Sequence, residues 1–236
     1  MNDVFDSKKL ELLDEANNFT DWLYSKYKHH ISGNILEVSS GVGTYSKKIL
    51  GDFFHNNLTL TEYSESDLNE LKNHFNNPKI SFKKLDLNNH NDFKKFNGEL
   101  FDTILCSNVL EHIKNDEYAL SQCFELLNKK GKMILVVPQN PKLYGMQDIS
   151  LGHFRRYSKK EILIKIKKNG FIINSIQNFN FIGTLGWRMN KTTKKTENNP
   201  GLLKIFNKII PITKFLDDNI LSKITGLSLI IILEKN

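Results

Sequence analysis

The stretch ILEVSSGVG, residues 35–43, decides the fold of this chain. Residues of strand character, Ile35–Val38, lead into a turn that contains Gly41 and Gly43, and a helical pattern opens at Thr44. Glycines permit a tight bend and a close approach of the backbone to a ligand, while the first turn of a helix offers N–H groups without partners. The stretch therefore predicts a strand–turn–helix unit with a ligand at the turn.

The glycine pattern of this turn is incomplete for the two common phosphate-binding motifs. The third glycine of a dinucleotide fingerprint, G-x-G-x-x-G, would fall at Ser46, and the Gly-Lys-Ser/Thr ending of a P-loop is missing. A nicotinamide-dependent dehydrogenase is therefore a weak alternative, which an absorbance scan for bound nicotinamide would test. The turn alone does not identify its ligand.

Strand and helix patterns alternate along the chain. Short apolar runs predict strands at 34–38, 58–62, 80–84, 101–106, 132–137, 171–178 and 227–233. Spacings of three and four predict helices at 7–29, 45–50, 66–75, 91–96, 117–127 and 158–169. Because the strands are rich in Ile, Leu and Val without alternation, they indicate a parallel sheet covered by helices on both faces.

The composition is that of an ordinary soluble domain. The chain has 236 residues, of which 39% are hydrophobic and 25% charged, enough for one domain with a substantial core. No segment reaches the ~18 apolar residues of a membrane span, and acids occupy the N-terminus, so we expect a cytoplasmic protein. Cys106 and Cys123 lie outside any Cys/His cluster, so we expect buried free thiols and no metal site.

The net charge of +7 is unevenly distributed. Residues 142–168 carry +6 and residues 187–236 carry +5, which leaves −4 for the rest of the chain. Such an excess favours an anionic substrate, a nucleic acid or an anionic membrane surface. A lysine-rich base composition explains it equally well.

Polar residues follow the predicted strands in order. Glu37 lies in the first strand, Glu62 ends the second, and Asp86 with Leu87 follows the third. The fourth strand closes on a polar pair and continues into an acid and a histidine: Ser107, Asn108, Glu111 and His112. Open α/β sheets bind ligands at the carboxyl ends of their strands, and a carboxylate after the second strand is placed to accept hydrogen bonds from a ribose diol.

Most of residues 31–178 resembles the class I S-adenosylmethionine-dependent methyltransferases. The motifs that carry the resemblance are LEVSSGVG, Glu62, Asp86, SNVLEH and KKGKMILVVP. The resemblance implies an α/β, Rossmann-like fold with a seven-stranded, mostly parallel sheet, helices on both faces, an antiparallel last strand and a helical insertion before it. It implies S-adenosyl-L-methionine as the cofactor and S-adenosyl-L-homocysteine as the product. The implied contacts are Glu37, Ser39, Gly41 and Gly43 around the methionine moiety, Glu62 at the ribose, Asp86 and Leu87 at the adenine, and Asn108 with His112 near the sulfonium.

Ser39 departs from the family pattern, because many relatives carry glycine there. Serine is well tolerated where φ is negative, so we expect Ser39 to leave cofactor binding intact. Ordinary structural roles compete with the functional ones at three positions: a surface acid at Glu37, a strand-end cap at Asp86 and a satisfied helix residue at His112.

A second informative stretch, residues 136–162, follows the fifth strand. Prolines and glycines predict a loop, and its functional residue types lie within fourteen positions: Tyr144, Asp148, His153, Arg155, Arg156 and Tyr157. With GHFRRYS before a helix, the loop resembles a bacterial methyltransferase subgroup associated with glycan, cell-envelope or natural-product pathways. That resemblance favours a small-molecule or saccharide acceptor.

Methyl transfer from a sulfonium needs alignment and exclusion of water more than further activation. For a hydroxyl acceptor, His153 is the candidate general base by residue type, and Asp148 would orient it or act in its place. The arginines suit a carboxylate or phosphate, and the candidate acceptor-binding residues are Tyr144, Arg155, Arg156 and Tyr157. Ion pairs between the arginines and acids of flanking helices are an equally good explanation.

We expect a single domain over residues 1–236. Its parts are an N-terminal helix in 1–30, a cofactor-binding core in 31–180, a helical insertion or lid in 181–225 and the last strand in 226–236. The apolar runs of the insertion alternate with lysines, so it either packs against the sheet, which we favour, or contacts a membrane surface peripherally. The oligomeric state is not set by the sequence.

Two other functions are compatible with these patterns. An RNA or protein methyltransferase would account for the basic segments, but the fourth strand ends in SNVLEH without an Asn/Asp-Pro-Pro-aromatic motif, and no nucleic-acid module is appended. The second is a non-catalytic S-adenosylmethionine-fold binding module. It is less favoured, because such a module has no physical need for Glu37, Glu62 and Asp86 together with the functional residue types of the loop at 136–162. We therefore expect an O-methyltransferase without a nucleic-acid partner, although the sequence does not separate O- from N- or C-methylation.

Overall fold

The computed structural model describes residues 17–53, 56–189 and 200–236. The predicted leading helix at 7–29 falls partly outside this range, since residues 1–16 are not among the described residues. The described part forms α1, Asn17–Ser25, and a 3₁₀ turn at Lys28–His30.

Seven strands of the described chain form one sheet. They are β1 Ile35–Val38, β2 Leu58–Glu62, β3 Ile80–Lys84, β4 Phe101–Ser107, β5 Leu127–Pro138, β6 Ile172–Phe179 and β7 Ser228–Glu234. The order is β3-β2-β1-β4-β5-β7-β6, with parallel pairing from β3 to β5 and antiparallel pairing of β7 with both β5 and β6. The predicted Rossmann-like sheet, mostly parallel with an antiparallel last strand, is confirmed.

Helices connect and cover these strands. They are α2 Thr44–Asp52, α3 Glu65–Asn73, α4 His90–Lys94, α5 Asp116–Glu125, α6 Met146–Ser150, α7 Lys159–Lys168, α8 Phe181–Met189 and α9 Pro200–Asn219. Short 3₁₀ turns lie at Leu110–His112, Pro141–Leu143 and Leu221–Lys223. Polar side chains begin four of the helices by accepting a backbone N–H of the first turn: Ser64 from Asp67, Asn89 from Asn91, Asn115 from Tyr118 and Ser158 from Glu161.

The core lies on both faces of the sheet. Along β4, Ile104 and Cys106 belong to one buried cluster, while Leu105 between them belongs to the other. The same division separates Leu36 from Ile35 in β1. Successive side chains of a strand point to opposite faces, so continuous apolar strands require helices on both sides.

Parallel register brings four strand ends to one edge. Val38 of β1 pairs with Cys106 of β4, and Glu62 of β2 pairs with Lys84 of β3. The residues that follow these strands therefore share the carboxyl edge of the sheet, where open α/β folds bind ligands.

The insertion before β7 is more continuous than its prolines suggest. The sequence predicts a helical insertion or lid at 181–225, and within it the structure forms α8 and α9, of which α9 runs through Pro211. Packing explains part of this result, because Ile210 is buried and Asp218, at the C-terminal end of α9, accepts a hydrogen bond from Trp22 of α1. Proline costs a helix one hydrogen bond, which tertiary contacts of α9 offset.

Part of the α9 surface stays apolar and exposed. Ile212 and Phe215 are each about two-thirds exposed, as is Ile224 after the helix. Other side chains of α9 are buried, among them Ile210, Thr213 and Asp217, and the choice between packing and a peripheral membrane contact stays a prediction. Within the described ranges, no helix has both the length and the apolar character needed to cross a bilayer.

Candidate functional site

The turn after β1 contains three residues in the left-handed region of backbone space. Ser39 has φ of 52°, Gly41 of 60° and Gly43 of 79°. A Cβ at Gly43 would lie 2.5 Å from the ring of Phe75, so glycine is required there by space as well as by conformation. The expectation of a negative φ at Ser39 is wrong. The tight turn places that residue where a side chain costs about 1–2 kcal/mol relative to an ordinary conformation.

Glu37 is buried beneath this turn. Its Oε2 accepts a hydrogen bond from the hydroxyl of Ser46, the residue that replaces the third glycine of a dinucleotide fingerprint. The pKa of Glu37 is raised to about 8, mainly by burial, while the Ser46 hydrogen bond opposes the shift and the charge of Glu62 adds to it. Ser46 thus has a structural reason to be there, because it supplies a hydrogen bond that a glycine lacks.

Glu62, at the end of β2, binds the same turn. Its Oε1 accepts the backbone N–H of Gly41, and its Oε2 accepts that of Tyr63 at 3.2 Å. Burial raises the pKa of this carboxyl to about 7, although both backbone hydrogen bonds act to lower it. A carboxylate and three left-handed turn residues therefore meet at one point of the sheet edge.

Asp86 lies at the neighbouring strand end and lines a cavity of about 330 Å³ with Tyr63, Ser64, Glu65, Lys84, Asn89 and Asp92. Its Oδ1 accepts the backbone N–H of Asn88 at 2.8 Å, and the Asp86 side chain is half-exposed. The side chain of Leu87 is buried in the core, so mainly its backbone is available to a ligand.

Asn108 and His112 follow β4. Asn108 has φ of 55° and an exposed side chain, while its backbone N–H bonds the carbonyl of Val136 at 2.9 Å. His112 packs edge-on against His153, with 4.7 Å between the ring centroids. Burial and the neighbouring His153 lower the pKa of His112 to about 4.

The loop after β5 is organised around Asp148, whose side chain is fully buried. Its Oδ1 bonds Nδ1 of His153 at 2.9 Å and Nε of Arg156 at 2.8 Å. Its Oδ2 accepts from the backbone of Gly145 at 3.1 Å and from the indole of Trp187 at 3.2 Å. Burial acts to raise the pKa of Asp148, but the His153 hydrogen bond and the Arg156 charge outweigh it, and the pKa is lowered.

His153 lies between this carboxylate and a second one. Its Nε2 is 3.9 Å from Oε1 of Glu111, and its carbonyl accepts the hydroxyl of Tyr144 at 2.8 Å. Glu111 is buried, and its Oε2 has no hydrogen-bond partner within the described part of the chain. Burial is the main cause that raises the pKa of Glu111 to about 8.

The other loop residues hold the structure together. Arg156 is buried, donates to the carbonyl of Gln139 and stacks 4.4 Å over the ring of Trp187. Arg155 pairs with Asp116 at 2.7 Å, as the ion-pair explanation anticipates. Tyr157 has no exposed surface with which to contact an acceptor, since its hydroxyl bonds Asp116 and the carbonyl of Leu110. Its predicted acceptor-binding role is therefore replaced by a packing role.

Three contributors to this region were not assigned a role from the sequence. Glu111 was visible beside His112 in SNVLEH, and its buried strand-end position could have drawn attention to it. Trp187 reaches the loop from α8, about forty residues after Asp148, and no local signal connects them. Asp116 looks like an ordinary first-turn acid of a helix until Arg155, Tyr157 and Lys165 converge on it.

Comparisons with known proteins agree with this architecture. The family model for a methyltransferase domain matches residues 36–133. Malonyl-[acyl-carrier protein] O-methyltransferase 1 of Ilyobacter polytropus is 25% identical over 225 residues, which cover 86% of this chain and 80% of that protein.

Solved structures share the fold. An S-adenosylmethionine-dependent methyltransferase from Archaeoglobus fulgidus aligns with a TM-score of 0.59 and 14% identity over 94% of each chain. One from Mesorhizobium loti aligns with a TM-score of 0.57 and 12% identity, over 87% of this chain and 93% of that chain.

The segment matched by the family model begins inside β1 and ends inside β5. It contains the glycine turn, Glu62, Asp86 and the strand end at Asn108, which together form the carboxyl edge described above. The chain therefore matches the methyltransferase-domain family over residues 36–133 and shares the fold of S-adenosylmethionine-dependent methyltransferases, which implies S-adenosylmethionine as its cofactor.

Proposed function

We propose that this enzyme transfers the methyl group of S-adenosylmethionine to an oxygen of a small-molecule or saccharide acceptor. The observation that carries the proposal is the hydrogen bond that orients His153: the carboxylate of Asp148, which is fully buried, binds its Nδ1 at 2.9 Å. This arrangement orients one ring nitrogen and directs the other, Nε2, toward the end of β4.

The cofactor residues are proposed from the geometry of the carboxyl edge. The glycine turn is shaped for close backbone approach, and the cavity at Asp86 has the volume of a small-ligand site. The residues that would hold the cofactor are Glu37, Ser39, Gly41 and Gly43 at the methionine moiety, Glu62 at the ribose, Asp86 and the backbone of Leu87 at the adenine, and Asn108 with His112 near the sulfonium. The cofactor supplies an activated methyl group, so these residues need only bind and orient it.

His153 is proposed as the base that accepts the hydroxyl proton. If Nδ1 donates its proton to Asp148, Nε2 carries the lone pair that general-base catalysis requires. Asp148 is buried, so it acts as a positioning residue and not as the base in its own right.

The insertion is proposed to form one wall of the acceptor site, beside the loop after β5, which we call the acceptor loop. Trp187 of α8 donates to Asp148 and underlies Arg156, which connects residues 181–225 to the acceptor loop within a single domain of residues 1–236. Tyr144 and the partly exposed Arg155 remain proposed acceptor contacts, and Arg155 would favour an anionic group. These contacts, with the GHFRRYS sequence, support membership of the glycan, cell-envelope or natural-product subgroup.

Oxygen as the methylated atom is further supported by the name of the Ilyobacter relative, a malonyl-[acyl-carrier protein] O-methyltransferase. A carboxylate acceptor is the second candidate suggested by that name. It differs from a hydroxyl in one respect that can be measured, because a carboxylate oxygen has no proton to lose.

The test is His153→Ala, compared with His74→Ala, which changes an exposed histidine after α3. We expect turnover of a hydroxyl acceptor to fall by about 10²–10⁴-fold in the first variant and to stay unchanged in the second. S-adenosylmethionine affinity, measured by calorimetry, should survive in both. Wild-type turnover in His153→Ala would eliminate the base role and favour a carboxylate acceptor.

A further inference from the structure

Three metal-ligating side chains converge beside the acceptor loop. Glu111 and His112 belong to the 3₁₀ turn after β4, and His153 reaches them from the loop after β5. One carboxylate oxygen and one nitrogen from each imidazole lie within 4.8 Å of one another. Ligand atoms around a tetrahedral ion with bonds of about 2.0–2.2 Å are about 3.3–3.6 Å apart. Small side-chain adjustments therefore suffice to close the group around an ion.

Glu111 provides an independent indication that the group binds a cation. Its side chain is almost fully buried, with a residue exposure of 1%. Its Oε2 makes no hydrogen bond within the described part of the chain, and Oε1 points to His153 at 3.9 Å. A buried carboxyl oxygen without a hydrogen-bond partner is costly, and native structures seldom keep one without a purpose.

The outer contacts of the histidines match those of metal ligands. A ligating imidazole usually binds a carboxylate or a backbone carbonyl through its other nitrogen, which fixes the ring. Asp148 binds Nδ1 of His153 at 2.9 Å and is itself held by Arg156 at 2.8 Å. The His112 ring forms a hydrogen bond with the backbone of Gly152. Both rings are thus held in place beside Glu111.

We propose that Glu111, His112 and His153 form a binding site for one divalent transition-metal ion, such as Zn²⁺ or Mn²⁺. Two imidazole nitrogens with one carboxylate suit these ions better than Mg²⁺ or Ca²⁺, which prefer oxygen ligands. Three protein ligands leave at least one coordination position open. The expectation of no metal site, drawn from the two isolated cysteines, is replaced by this proposal.

The open position suggests the class of acceptor. An acceptor with two neighbouring oxygens, such as a vicinal diol or a hydroxy acid, would coordinate the ion through the oxygen to be methylated. A hydroxyl on such an ion loses its proton at lower pH than in free solution. In the metal-loaded protein His112 and His153 are ligands, so the sulfonium contact proposed for His112 and the base role proposed for His153 apply only to the metal-free protein.

The experiment uses the full chain, stripped with a chelator and titrated with Co²⁺, Zn²⁺ and Mg²⁺ by calorimetry, with the Co²⁺ absorption spectrum as a second readout. We expect one Co²⁺ or Zn²⁺ per chain and much weaker Mg²⁺ binding. Glu111→Gln and His153→Ala should each weaken Co²⁺ binding by at least about 100-fold, because outer contacts alone contribute about 10–100-fold. The exposed-site control, His74→Ala, should bind as the wild type does.

Two results would overturn the metal site: a wild-type chain that binds neither Co²⁺ nor Zn²⁺, or site variants that bind them with unchanged affinity. Should Glu111→Gln fail to fold by circular dichroism, His153→Ala decides alone. S-adenosylmethionine binding is measured on the same samples without metal, so the two proposals fail separately. Cofactor binding without metal binding removes only the metal site, and metal binding without cofactor binding removes only the proposed function. Binding of both keeps the methyl transfer and replaces the base role of His153.

Discussion

The pH dependence of S-adenosylmethionine binding tests the ribose role of Glu62. In the ligand-free protein, burial raises the pKa of this carboxyl to about 7. A ribose diol donates hydrogen bonds to the ionised form, so binding should lower the pKa and release the proton. The share of the affinity that depends on Glu62 should therefore rise with pH until about 7 and level off above that value.

The size of the effect follows from the pKa. With a value of about 7, roughly nine in ten Glu62 side chains are protonated at pH 6 and roughly one in ten at pH 8. Binding that requires the ionised form is then about tenfold weaker at pH 6 than at pH 8, or ~1.4 kcal/mol. Glu62→Gln should lose about ten- to hundredfold in affinity at pH 8, because hydrogen bonds to charged groups contribute about 1.5–3 kcal/mol.

Calorimetry at pH 6, 7 and 8, in pairs of buffers with different protonation heats, measures both the affinity and the protons released. The amino group of the cofactor titrates near pH 8 and Glu37 titrates near the same pH, so the informative quantity is the ratio of wild-type to Glu62→Gln affinity. Glu70→Gln, which changes an exposed acid of α3, is the matched control. A ratio that is equal at pH 6 and pH 8 would refute the reasoning, as would an unchanged affinity in Glu62→Gln.

Two further predictions concern stability. Ser39→Gly should raise the free energy of unfolding, measured by urea denaturation, by up to about 1 kcal/mol. The relief of left-handed strain exceeds the added entropy of glycine in the unfolded chain, and a less stable variant would contradict the φ of 52°. Asp116→Asn should lower the free energy of unfolding by about 2–3 kcal/mol at pH 7, because the buried carboxylate that Arg155, Tyr157 and Lys165 contact loses its charge. The loss is not larger because Arg155 and Lys165 are partly solvated. The pKa of Asp116 is lowered in the folded state, although burial opposes this, by its hydrogen bonds to Lys165 and Arg155. That contribution is complete above the unfolded pKa of about 3.9 and falls as pH drops through the lowered folded pKa, so a difference that is as large at pH 3 as at pH 7 would contradict it.

Most of the carboxyl edge of the sheet was predictable because its determinants are local. A strand, a glycine turn and a helix start are encoded in consecutive residues, and parallel register then brings Glu62 and Asp86 to the same edge without further information. Ser46 shows where the local interpretation was incomplete. It looked like a missing glycine, but its hydroxyl donates to Glu37 nine residues away, a contact that depends on how α2 packs over β1.

The acceptor side was predicted less well because its contacts are long-range. The clustering of His153, Arg155, Arg156 and Tyr157 correctly indicated a structured loop. It could not show that Tyr157 and Arg156 are buried, since each is bound to partners from other elements. Buried polar groups require partners, and those partners are chosen by packing and not by sequence neighbours.

The sequence by itself determined the β/α order, the glycine turn and the strand-end acids, because periodicity and turn chemistry act over a few residues, and the family resemblance of these motifs implied the cofactor. Only the tertiary structure decided the left-handed conformation of Ser39, the continuity of α9 through Pro211 and the meeting of Glu111, His112 and His153. Those features depend on backbone closure and on contacts between residues about forty or more positions apart, for which a one-dimensional pattern carries no signal.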